Sequence, residues 1–149
     1  MNNKNLNLIK KIQKDLSFKL DLIDLEIKVE NIEKAGELRI KENCIAISEN
    51  ILSDKLLCIT TIVHELRHVY QILSIYDDNE IEIYRDRWKE ELSTGKAKDL
   101  FSFIELDAYS FEKYYLREMY DIDYTFDNVK LDELTDEYID KYLIKIDIK

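Results

Sequence analysis

The sequence predicts an α+β domain with a short, mostly antiparallel sheet and about five helices, the central helix carrying the chemistry. Three observations lead there. Apolar residues recur at helical spacing over residues 6–18, 54–76, 98–120 and 131–146. Over 21–30 the period shortens to two, as in a half-buried strand. The longest helical stretch contains His64-Glu65-Leu66-Arg67-His68, two imidazoles at i and i+4.

Taken in order, 6–18 sets Leu8, Ile9, Ile12 and Leu16 on one side of a helix. Residues 21–30 alternate Leu22, Ile23, Leu25, Ile27 and Val29 with Asp24, Glu26, Lys28 and Glu30. Residues 31–36 supply a turn. A second strand covers 37–48 with Leu38, Ile40, Ile45 and Ile47, and Asn43 is a break that can divide it in two. Asn50 and Ser53 are candidate caps for the next helix, 54–76, and Asp54 suits its positive start. Asp77-Asp78-Asn79 ends that helix.

Residues 80–92 are heavily charged around Ile81, Ile83, Tyr84 and Trp88. They read as a surface helix, with a lid over a cleft as the alternative. The chain is therefore expected to form one domain over 1–149, with a helical insertion or lid at about 79–95. Ser93-Thr94-Gly95 is a break. Ile104, Ala108, Phe111 and Tyr115 form the core stripe of the helix 98–120. Residues 121–128 read as a loop or irregular strand. The closing helix, 131–146, has acids near its start and lysines near its end, as the helix dipole favours.

Side chains at i and i+4 stand one above the other on a helix face, so both imidazoles of His64 and His68 can reach one metal ion. At about 100° per residue, His68, Thr61, Ile72 and Glu65 share the sector of His64. Ile59, Ile62, Leu66, Val69 and Leu73 fall opposite, a stripe for a core. Arg67 and Gln71 flank the ligand face, and a salt bridge to a local acid is the expectation for Arg67.

A catalytic zinc site takes three protein ligands and keeps one position open. His64 and His68 are the only histidines, so the third ligand is a carboxylate, a cysteine or a group from another chain. The best candidate stretch is Ile104-Glu105-Leu106-Asp107-Ala108-Tyr109-Ser110-Phe111. Glu105 and Asp107 diverge by about 200° on a helix, so only one of them can face the metal. Glu105, beside the stripe and near the small Ala108, is favoured. Asp107 is the alternative, and otherwise a hydrogen-bond acceptor behind a histidine or a solvated surface acid. Glu112 reads as a solvated charge. Tyr109, one turn past Glu105, is a candidate donor to an oxyanion and otherwise a half-buried packing residue.

His64-Glu65-x-x-His68 followed by Glu105-x-x-Ala108 on a later helix resembles the gluzincin branch of the zincin metallopeptidases. With Phe111 added, the pattern is similar to the compact ImmA/IrrE-type peptidase domains, over residues 45 to about 115. The resemblance implies a zincin-like fold and one zinc ion per chain held by His64, His68 and Glu105. It also implies that Glu65 is catalytic and that the strand before the metal helix lines the substrate cleft. Glu65 then acts as general base toward a metal-activated water. The strand 44–48 is expected to pair with an extended substrate backbone, which points to a peptide or protein substrate.

Composition narrows the rest. A chain of 149 residues, 46% hydrophobic and 36% charged, suits a globular domain that needs no staples. A net charge of −10 argues against nucleic acid and anionic membranes as partners. Cys44 and Cys58 are the only cysteines and lie outside any CxxC pair, which suits two buried free thiols in the cytoplasm. The first residues show no signal-peptide core. The rival from another class is a catalytically inactive zincin-fold module that binds a protein partner through its acidic surface.

Overall fold

The computed structural model describes residues 3–75, 82–144 and 148. Its contacts cluster into two compact units, Met1–Val69 and Tyr70–Lys149. Together they hold five α-helices and one three-stranded sheet among the described residues.

In the first unit, helix α1 spans Asn3–Lys19. Asn5, Ile9, Ile12, Gln13 and Leu16 are buried, the i, i+4, i+7 pattern of one helical face. Its two buried amides are satisfied: Asn5 Nδ2 donates to Leu52 O at 2.7 Å, and Gln13 Nε2 donates to Leu25 O. The chain leaves α1 through Asp21 in the left-handed region, φ 54°, where a short polar side chain is tolerated.

Strand β1 is Glu26–Glu30, shorter than the alternation over 21–30 suggests. The second stretch splits as its Asn43 break allows, into β2 (Gly36–Arg39) and β3 (Cys44–Ser48). A 3-10 turn at Ile40–Glu42 and Asn43 at φ 54° join them. The sheet order is β1-β3-β2, with β1 parallel and β2 antiparallel to β3. The sheet is thus mixed rather than mostly antiparallel. Period-two patterning shows which residues pair but not which strand lies between two others. The interior position of β3 accounts for its composition, since all five residues Cys-Ile-Ala-Ile-Ser are buried. Ser48 Oγ donates to Ile32 O at 3.0 Å.

Helix α2 is Lys55–Ile75. Its cap is Asp54, whose Oδ1 accepts from Leu57 N at 3.1 Å, rather than Asn50 or Ser53. Asn50 instead belongs to a 3-10 turn, Glu49–Ile51, capped by Ser48. Cys58, Ile59, Ile62, Val63, Leu66 and Val69 are buried. Both thiols are free and buried. Tyr76, the break at 77–79, Ile81 and Ile146 lie outside the described residues.

In the second unit, α3 is Glu82–Thr94. Asp86, Arg87, Lys89, Glu90 and Leu92 are exposed and Trp88 is its buried anchor, so it is a surface helix. It stops at Gly95, φ 78°, the left-handed residue that commonly follows a helix. Helix α4 begins later than the apolar pattern suggests, at Phe103, and runs to Tyr120. Ser102 caps it, and Asp121 in the left-handed region closes it. Residues 121–128 are a loop. Asn128 caps α5, Val129–Tyr138, which continues as a π-helical turn, Ile139–Leu143.

The rings of Phe103, Tyr138 and Tyr142 pack mutually at 4.7 to 6.1 Å. Lys113, buried on α4, donates to Asp132 at 2.5 Å and Asp136 at 2.8 Å on α5. No helix among the described residues is long and apolar enough to cross a membrane.

Candidate metal centre on helix α2

The helical spacing that stacks His64 over His68 places their Nε2 atoms 3.1 Å apart, with ring centroids at 4.7 Å and planes at 85°. Two nitrogens each at 2.0–2.1 Å from a tetrahedral ion stand about 3.3 Å apart, so the pair has the separation of two ligands on one ion. Both rings are half-buried, whereas Glu65 and Thr61 on the same sector are buried. In the opposite sector Ile59, Ile62, Leu66 and Val69 are buried and Leu73 is half-buried. Helix α2 is therefore covered on both sectors, and Arg67 and Gln71 are buried as well.

The strand beside Glu65 is β2. A Cβ built on Gly36 would meet Thr61 Cγ2 at 2.6 Å and Glu65 Cγ at 3.4 Å. Backbone and helix approach so closely here because position 36 has no side chain. Strand β3, expected to offer an edge to substrate, is paired on both sides and has no backbone groups left for a third partner. That expectation is corrected. The sequence leads one to end the turn at Gly36, whereas this residue opens β2; a glycine in a strand is a signal of close backbone approach.

In the second unit, Glu105 is half-buried in the first turn of α4, and its N–H donates to Ser102 Oγ at 3.1 Å. The Ser-x-x-Glu spacing that announces this helix start was legible as a capping signature. Asp107 is fully buried rather than a solvated acid. Its Oδ2 accepts from Gln71 Nε2 at 2.8 Å and its Oδ1 from Tyr138 O–H at 2.6 Å. Gln71 Nε2 also donates to Ile104 O at 2.9 Å. Glu112, read as solvated, is buried too, because α4 is enclosed along most of its length. Tyr109 packs edge-on against Phe126 at 5.5 Å, and Ala108 is fully buried.

Comparison with protein families, curated proteins and solved structures finds no match to this chain.

Proposed function

We propose that this chain is a zinc-dependent peptidase of the zincin type, with His64 and His68 as metal ligands and Glu105, as the sequence resemblance implies, as the third. The observation that carries the reading is the 3.1 Å separation of the two Nε2 atoms, with a buried glutamate one residue after the first histidine. Two nitrogens and one carboxylate make a donor set suited to a catalytic zinc with an open position. The oxygens of Asp107 are engaged by Gln71 and Tyr138, which favours Glu105 as the third ligand.

Zinc held there would supply Lewis acidity at a substrate carbonyl and a more acidic water. Glu65 would act as general base, accepting the proton of the attacking water. As the carbon–nitrogen bond breaks, Glu65 passes the proton to the leaving amine. Among the described residues β2 has one strand partner, β3. Its outer edge, beginning at Gly36 next to Glu65, is where an extended substrate backbone is best aligned. This is why the substrate is read as a peptide or protein. Buried free thiols at Cys44 and Cys58 support a reducing, cytoplasmic setting.

Elemental analysis of purified wild type and His68→Ala, with peptide turnover by wild type and Glu65→Gln, tests the reading. The expected result is one zinc per wild-type chain and little in His68→Ala. Glu65→Gln keeps zinc and loses turnover. Turnover that persists in Glu65→Gln refutes the mechanism. Equal zinc with no turnover in either protein marks a non-catalytic binding module instead.

A further inference from the structure

Glu105 is the third residue of α4, and the three leading amides of that helix are all held by side chains. The N–H groups of Phe103 and Ile104 donate to the two carboxylate oxygens of Glu91, at 2.7 and 2.8 Å. The N–H of Glu105 itself donates to Ser102 Oγ. Glu91 is no local cap. It lies on α3, twelve residues before Phe103. One turn earlier on α3, the Arg87 guanidinium sits 4.1 Å from the centre of the Phe103 ring. Ser102 Oγ in turn donates to Ala97 O at 3.2 Å. A carboxylate spanning two orphan amides at the positive end of a helix is a charge-assisted cap.

We infer that Glu91 is a positioning residue for the metal centre, fixing the first turn of α4 and with it the carboxylate of Glu105. The inference rests on the reading of Glu105 as a metal ligand given above. Without Glu91, two amides of that turn lose their acceptors and the turn frays, and residue 105 is only one position further along. A carboxylate ligand on a fraying turn must be ordered each time the ion binds. Loss of groups that orient ligands weakens metal binding by about 10–100-fold. Helix α3 is then a brace that carries Glu91, which gives its exposed, charged sequence a purpose beyond solubility.

The test titrates metal-free full-length protein with Zn²⁺ against a chromophoric chelator and records the visible spectrum with Co²⁺ in place of zinc. The variants are Glu91→Gln, Ser102→Ala, Glu105→Gln, His68→Ala and Asn128→Ala. The last removes a cap of the same kind from α5, where Asn128 Oδ1 accepts from Leu131 N. Glu91→Gln is expected to weaken Zn²⁺ binding about tenfold or more and to move the Co²⁺ spectrum toward that of Glu105→Gln. Asn128→Ala lowers thermal stability but leaves affinity and spectrum unchanged.

Wild-type affinity and spectrum in Glu91→Gln overturn the inference. If Glu91→Gln does not fold, Ser102→Ala carries the same expectation and the same refutation. Metal lost in His68→Ala but unmoved in Glu91→Gln overturns this inference alone. A wild-type chain that binds no metal, or binding indifferent to His68→Ala, overturns the reading of the site and this inference with it.

Discussion

Replacing Gly36 with alanine puts a new carbon 2.6 Å from Thr61 Cγ2 and 3.4 Å from Glu65 Cγ. Carbons settle about 3.5–4.0 Å apart, so the first contact is too short by about 1 Å and the second is close to ordinary. Thr61 cannot swing aside cheaply, because a β-branched side chain in a helix has few rotamers and this one is buried. Overpacking of this kind costs about 1–3 kcal/mol. Against it, alanine restricts the unfolded chain and contributes about 0.4–1 kcal/mol.

The clash wins, and the expected net loss is about 1–2 kcal/mol. Thr61→Ser deletes the methyl that the new Cβ meets. In that background Gly36→Ala should be neutral or slightly stabilising. Urea unfolding followed by far-ultraviolet circular dichroism on the four proteins gives a double-mutant cycle. The coupling energy should reach about 1–2 kcal/mol in favour of the double variant. Equal costs of Gly36→Ala in both backgrounds would refute the close packing of β2 on α2.

Three further outcomes are expected. A hydrogen bond from Lys113, and then one from the Phe126 N–H, hold the Asp132 carboxyl below the usual carboxylate range. A depressed pKa in the folded state contributes stability above about pH 4, the unfolded value, and that contribution disappears as pH falls through the folded value. Asp132→Asn should therefore flatten the acid limb of melting temperature against pH, and an unchanged limb contradicts the assignment. Burial, and secondarily the charge of Asp54, pushes the Cys58 thiol up, and Cys44 is equally enclosed. Iodoacetamide should label neither in native protein and both in urea, so prompt native labelling of Cys58 rejects this packing. Tyr138→Phe removes a donor 2.6 Å from the buried Asp107 carboxylate and should cost about 1–3 kcal/mol. A thermal melt matching wild type would show that this bond contributes nothing.

The sequence announced what local periodicity controls and concealed what long-range pairing decides. The stripe of α1, the divided second strand and the His64–His68 stacking follow from spacing alone, because they are properties of one element. The parallel partnership of β1 and β3 does not. It depends on β3 entering between two strands, which no pattern within β3 records beyond its run of four apolar residues, Cys44 to Ile47. The start of α4 was misplaced because residues 98–101 share the composition of the helix, and the Ser102 cap outweighs that similarity. Glu112 reads as solvated, and a solvated acid is one of the alternatives for Asp107, because an acid on a helix is usually exposed. Their burial reflects neighbours supplied from elsewhere in the chain, of which Gln71 and Tyr138 hold Asp107.

Strand β1, at one edge of the sheet, alternates charged residues with apolar ones. Laid antiparallel on a copy of itself about Lys28, β1 would set lysine against lysine and Glu26 against Glu30, and a parallel copy in register would match like with like throughout. Facing charges of one sign oppose such pairing. In these two pairings the like charges of β1 oppose self-association, whereas a segment bearing lysines opposite Glu26 and Glu30 meets no such repulsion.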